Sequence, residues 1–252
     1  MKKTMIMIAA FCLLMITNTI TTGCNKSMAL FTHTSDTTTT ILTPPPPPVV
    51  DSTSYKTYLA LGDSYTIGQS VDSSSRYPAQ TAAWLTANGI HLKPIQYIAT
   101  TGWTTTDLQN AINNTNPKGP FDVVSLLIGV NDQYRGYDTG GYSIRFYQLL
   151  QQSIQLAGGK PTHVFVLSIP DYSVTPFASG SNRAEISMQI DWFNAINKRI
   201  TLQNNCTYLY ITDSTREAAT DNSLLAPDGL HPSGKEYKIW SLLLGASMKT
   251  VL

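Results

Sequence analysis

The run FDVVSLLI, residues 121–128, constrains this chain more than any other stretch. It is nearly all apolar and does not alternate with polar residues, the pattern of a strand buried on both faces. Residues 163–169, HVFVLSI, have the same character, and shorter β candidates occur at 57–61, 95–99 and 207–211. Helical segments separate them. Residues 77–88 stop at Gly89, and residues 104–113 open on Thr104 with Asp107 in the reciprocal capping position. Residues 144–156 end before Gly158-Gly159. Asn182 with Glu185, and Ser233 with Glu236, mark the starts of two further helices, the first running to about Leu202. Five strands alternating with helices predict an α/β fold with a five-stranded parallel sheet covered on both faces. Ligands in such sheets bind beyond the carboxyl ends of the strands, so the segments that follow each strand are the ones to read for function.

The chain before residue 55 reads as something other than fold. Met1-Lys2-Lys3 is a basic start, residues 5–16 are mostly apolar but short for a membrane span, and Thr21-Thr22-Gly23 precede Cys24. Small residues before a cysteine match a bacterial lipoprotein processing site, with Cys24 as the lipid-modified residue. Thr21 stands where the usual pattern has leucine, and a plain secretory signal cut nearby is the alternative. Residues 24–54 are a Thr- and Pro-rich tether, including Pro44 to Pro48, with too few apolar side chains to order themselves. Coil scaling over about thirty residues would place the following domain on the order of 30 Å from an anchor. The expected organisation is therefore a signal segment at 1–23, a tether at 24–54 and one catalytic-sized domain at 55–252, exported to the cell envelope, membrane-attached through Cys24, and monomeric.

Composition narrows the partners. Charged residues are 13% of the chain, against roughly 25% in an average domain, and the formal charge is +1. Nothing there attracts nucleic acid. Of the three cysteines, Cys12 leaves with the signal and Cys24 is spoken for, so Cys206 is expected as a small buried residue without a disulfide partner. No His/Cys spacing resembles a metal site. His33 lies in the tether; His91 and His163 read as structural or solvated.

The strand ends carry a constellation. Ser64 follows the first strand, Thr101-Gly102-Trp103 the second, Gly129-Val130-Asn131-Asp132 the third, and Pro170-Asp171-Tyr172 the fourth; Asp228, His231 and Pro232 precede the last helix. Ester hydrolysis requires a hydroxyl, a base, a group that orients the base, and donors for the oxyanion. Ser64, His231 and Asp228 supply the first three. The backbone N–H groups of Ser64 and Gly102 and the side-chain amide of Asn131 are candidate oxyanion donors. The Gly-x-Ser-x-Gly elbow of α/β-hydrolases is absent.

These blocks resemble the SGNH, or GDSL, hydrolases. Gly62-Asp63-Ser64 continuing to Gly68 matches the first block, Gly102 the second, Gly129-Val130-Asn131-Asp132 the third, and Asp228, His231 and Pro232 the last. The resemblance spans roughly residues 55–252. It implies a flavodoxin-like three-layer α/β/α sandwich and a cofactor-free serine esterase with Ser64 as nucleophile, His231 as base, Asp228 as orienting acid, and Gly102 and Asn131 as oxyanion donors. Tyr65, Trp103, Asp132, Tyr134 and Tyr172 are candidates to line the substrate pocket. The expected substrate is a small-molecule or glycan ester with a short acyl or acetyl group. Acyl transfer to a glycan hydroxyl and glycan binding on an inactive scaffold are the alternatives.

Overall fold

The computed structural model describes residues 55–252; the signal segment, Cys24, His33 and the tether lie outside the described residues. Five parallel strands form one sheet: β1 (Tyr58–Gly62), β2 (Gln96–Ala99), β3 (Val123–Leu127), β4 (Val164–Leu167) and β5 (Thr207–Leu209), in the order β2-β1-β3-β4-β5. The three inner strands are buried along their whole length, whereas β2 and β5, at the edges, are mostly half-buried. That is why β1, β3 and β4 read as unbroken apolar runs. The connection from β1 goes to β2 on one side, and the chain then crosses to β3 on the other. The switch point of the sheet therefore lies between β1 and β3, paired through Gly62 and Leu127 at their carboxyl ends.

The principal helices are α1 (Ser64–Ile67), α2 (Tyr77–Ala87), α3 (Thr105–Thr115), α4 (Val130–Tyr134), α5 (Thr139–Leu156), α6 (Arg183–Gln203), α7 (Thr212–Arg216) and α8 (Gly234–Lys249). Helix α2 packs on α8, while α5 packs on both α3 and α6; with the sheet these two groups make the three-layer α/β fold. The core includes large aromatics such as Trp240, Tyr58, Tyr77 and Tyr142, each fully buried. The phenols of Tyr58 and Tyr142 keep partners: Ser125 Oγ lies 2.8 Å from the Tyr58 hydroxyl, and Tyr142 donates to Asn197 Oδ1 at 2.6 Å.

The capping signals hold with instructive differences. Thr104 and Asp107 form the full reciprocal box on α3. Ser233 accepts from the Glu236 N–H at the start of α8, but its own N–H goes to the Leu224 carbonyl at 2.7 Å. Glu236 instead accepts from Ser214 and the Trp240 indole, both at 2.6 Å. Helix α5 starts at Thr139, five residues before the expected 144, because Asp138 caps it by accepting from Gly141 at 2.7 Å. Gly140-Gly141 reads as a breaker from intrinsic propensity, and the cap overrides it. Cys206 is buried as expected, and burial pushes its thiol up to about 12. His163 Nδ1 lies 2.6 Å from the Asp122 carbonyl, and the His91 ring lies 5.7 Å from that of Tyr55.

Candidate active site

Strand β1 ends at Gly62, where a β-carbon would stand 2.1 Å from Thr66 Oγ1 and 2.4 Å from the Leu127 carbonyl. Only glycine lets the chain turn this tightly against β3. Asp63 then caps α1, its Oδ1 accepting the Tyr65 N–H at 3.0 Å. Ser64 is the first residue of that helix, at the sheet's switch point. Its N–H and that of Gly102 have no acceptor among the described residues. Gly102 has φ of +80°, a left-handed conformation suited to glycine, and its carbonyl accepts from Arg135 at 2.7 Å.

The turn before α8 holds the candidate base. His231 Nδ1 lies 2.7 Å from Asp228 Oδ2, which fixes the ring proton on Nδ1 and leaves Nε2 as the proton acceptor. Asp228 Oδ1 accepts the N–H groups of Leu230 and His231, each at 3.0 Å, and Oδ2 also accepts the Ser70 hydroxyl at 2.6 Å. Partial burial raises the Asp228 carboxyl, but the bonds from Ser70, His231 and the two backbone amides outweigh it and hold it well below the usual carboxylate range. The His231 ring packs against Tyr65, with centroids 5.1 Å apart.

Ser64, His231 and Asn131 face one cleft of about 90 Å³, walled by Tyr65, Tyr134, Tyr172 and Phe177. Tyr134 and Phe177, 60% and 48% exposed, form its outer edge with ring centroids 5.9 Å apart. Beside Tyr65 and Tyr172 lies a small hollow of about 10 Å³, with room for no more than one water. Among the described residues, no group of three or more His, Cys, Asp or Glu side chains is arranged to hold a metal ion.

Two of the pocket candidates sit elsewhere. Asp132 is wholly buried and does not line the cleft. Its carboxylate accepts the Thr105 N–H at 2.8 Å and the Thr105 hydroxyl at 2.5 Å, with Arg145 at 3.4 Å. It fastens the block after β3 to the start of α3. In a one-turn helix, neighbouring residues point about 100° apart, so Asn131 and Asp132 face different ways. Trp103 is half-buried against the core, and its carbonyl accepts from Asn131 Nδ2 at 3.0 Å. The same nitrogen reaches Asp63 Oδ2 at 3.4 Å. Phe177, Arg135 and Ser70 were not singled out from sequence. Phe177 lies in the loop after β4, where the strand-end rule points; nothing local marks the other two.

Burial raises the Asp63 carboxyl to about 8, and the neighbouring Asp132 charge adds to the rise; the Tyr65 and Asn131 bonds oppose it. Burial also raises Asp132, against the Thr105 and Arg145 contacts. A pair of buried acids thus lies beneath the site as its floor, outside the cleft lining, Asp63 held by backbone and amide donors and Asp132 by Thr105 and Arg145. The rim is an ionised Asp228 feeding an imidazole.

Comparison with known proteins bears on the fold and the family. The GDSL-like Lipase/Acylhydrolase family model matches residues 60–239. Among solved structures, TesA superposes with a TM-score of 0.62 at 17% identity, over 78% of this chain and 100% of that one. The acetylxylan esterase Axe2 of Geobacillus stearothermophilus gives 0.58 at 20% identity, over 77% and 94% of the two chains. A lipase/acylhydrolase from Enterococcus faecalis gives 0.58 at 19% identity, over 77% and 96%. A search among curated proteins found no sequence match. At these identities the structural likeness speaks for the fold, and the family match carries the chemistry: the chain belongs to the GDSL-like lipase/acylhydrolase family and is a carboxylic ester hydrolase.

Proposed function

We propose that this hydrolase works through an acyl-enzyme on Ser64 and takes short acyl or acetyl esters, with an acetylated sugar as the favoured alcohol component. The observation that carries the reading is the Asp228–His231 pair, 2.7 Å apart, opening on the same cleft as Ser64. His231 Nε2 removes the Ser64 proton as Oγ attacks the ester carbonyl. The oxyanion is met by the N–H groups of Ser64 and Gly102 and by Asn131 Nδ2, which exchanges its long 3.4 Å contact with Asp63 for the developing charge. Each such donor is worth about 2.7–4 kcal/mol in the transition state. The intermediate collapses, and the leaving alkoxide takes the proton from His231. Water then attacks the acyl carbon with His231 as base, the acid departs, and Ser64 regains its proton.

The size of the cleft supports the acyl length. A cleft of about 90 Å³ walled by aromatic side chains suits a short acyl group better than a long acyl chain. The exposed Tyr134 and Phe177 rings offer flat apolar surface for a sugar face. We further propose that the chain is exported and anchored through Cys24, as the residues before it support; mass spectrometry of the membrane fraction tests this by finding or missing a diacylglyceryl adduct on a mature Cys24 terminus.

The test of substrate class is a nitrophenyl ester series from acetyl to dodecanoyl. Highest kcat/KM at acetyl to butyryl supports the reading, and a maximum at ten or more carbons sinks it. Product analysis with an acetylated oligosaccharide, in the presence of a second glycan acceptor, separates hydrolysis from acyl transfer.

A further inference from the structure

Ser70 has φ of 65°, a backbone conformation that side-chain-bearing residues rarely adopt. It is exposed on the surface, so packing does not hold it there. Its hydroxyl donates to Asp228 Oδ2 at 2.6 Å, across 158 positions of sequence. The preceding residue reaches in two other directions. The Gln69 N–H donates to the Ser64 carbonyl at 2.9 Å, and Gln69 Oε1 accepts the Thr101 hydroxyl at 2.7 Å. Thr101 adjoins Gly102. Two consecutive residues therefore touch the nucleophile's own backbone, the loop of the second oxyanion donor, and the triad acid.

The turn's internal bonds fix Asp228 against His231. The His231 ring also rests on Tyr65, and the Phe177 N–H donates to the Gly229 carbonyl at 3.1 Å, but among the described residues the Ser70 hydroxyl makes the one hydrogen bond to the Asp228 carboxylate from outside the turn. We infer that the Gln69-Ser70 turn is a positioning bracket, in which Ser70 holds Asp228, and through it His231, in register with Ser64. The inference rests on the proposed roles of those three residues. Backbone strain accepted at a site with no packing reward is the signature of a residue kept for its side chain. Ser70 touches no reacting atom and acts only through Asp228.

The test uses the full chain with Ser70→Ala and Ser70→Gly, the latter relieving the left-handed strain in case the alanine variant folds poorly. On nitrophenyl acetate both variants lower kcat about tenfold, the usual scale for losing a hydrogen bond to a charged group, with KM and melting temperature unchanged. In an Asp228→Ala background the Ser70 substitution costs nothing further, because its route of action is gone. An unchanged kcat overturns the bracket, and so does the same loss in both backgrounds. The low-field proton resonance of His231 Nδ1 reads the bracket without any substrate. It shifts or broadens in Ser70→Ala; an identical resonance overturns the inference. A wild type inert on every ester, with the resonance still responding to Ser70, removes the esterase reading and leaves the bracket standing.

Discussion

Two carboxylates of this site, Asp63 and Asp228, end in opposite environments. Asp63 is adjacent to Ser64 in sequence, fully buried, and pushed up to about 8 by that burial. Asp228 lies 164 positions away from Ser64 in sequence, is partly open to solvent, and is held well below the usual range by four hydrogen-bond donors. Sequence proximity to the proposed nucleophile does not make an acid its partner. The donor set does: donors around Asp228 make it a stable anion, able to orient an imidazole and stabilise its charged form, whereas Asp63 serves as a cap and as a floor under Asn131.

Breaking the rim has the largest expected effect on rate. His231→Ala removes the proposed base, and Asp228→Asn loses the anion and the tautomer it selects; each lowers kcat by about 10⁴-fold or more, with the fold intact by circular dichroism. Breaking the floor costs stability first. Asp132→Ala leaves the Thr105 N–H and the Arg145 guanidinium without their buried partner and destabilises by about 3–5 kcal/mol in denaturant titration.

The two acids also predict opposite pH signs. The folded-state value of Asp63 lies above its unfolded one, so its contribution to stability declines as pH rises from about 4 toward 8. The value of Asp228 lies below its unfolded one, so its contribution is present above about pH 4 and is lost on acidification. Asp63→Asn keeps the acceptor for the Tyr65 N–H and flattens the decline between pH 4 and 8; an unaltered profile would mean that Asp63 is ionised in the folded protein. At the outer edge the effects are smaller. Tyr134→Ala and Phe177→Ala raise KM about two- to tenfold for a sugar ester with kcat held, matching ~0.5–1.5 kcal/mol for an aromatic contact. Arg135→Ala frees the exposed loop carbonyl of Gly102 and lowers kcat about threefold without moving the melting temperature, the scale of one solvent-exposed hydrogen bond at ~0.5–1 kcal/mol.

What was legible in the sequence follows from these environments. Strands β1, β3 and β4 are buried on both faces, so composition alone marks them. The catalytic candidates occupy strand ends and a tight turn, where residue type and order carry the information. Asp132 was misplaced because adjacency to Asn131 says nothing about direction on a helical turn. Ser70 and Arg135 act through long-range bonds from exposed loops, which leave no periodicity and no cap pattern behind. The early start of α5 was hidden by Gly140-Gly141, whose low propensity is offset by the Asp138 cap.

The most direct measurement is fluorophosphonate labelling of the wild type, Ser64→Ala and His231→Ala, with the adduct located by peptide mass spectrometry. The account predicts one adduct, on Ser64, absent in Ser64→Ala and slowed by at least about 10³-fold in His231→Ala, since the hydroxyl then has no base. An adduct on another residue, or equal ester hydrolysis by wild type and Ser64→Ala, would contradict it.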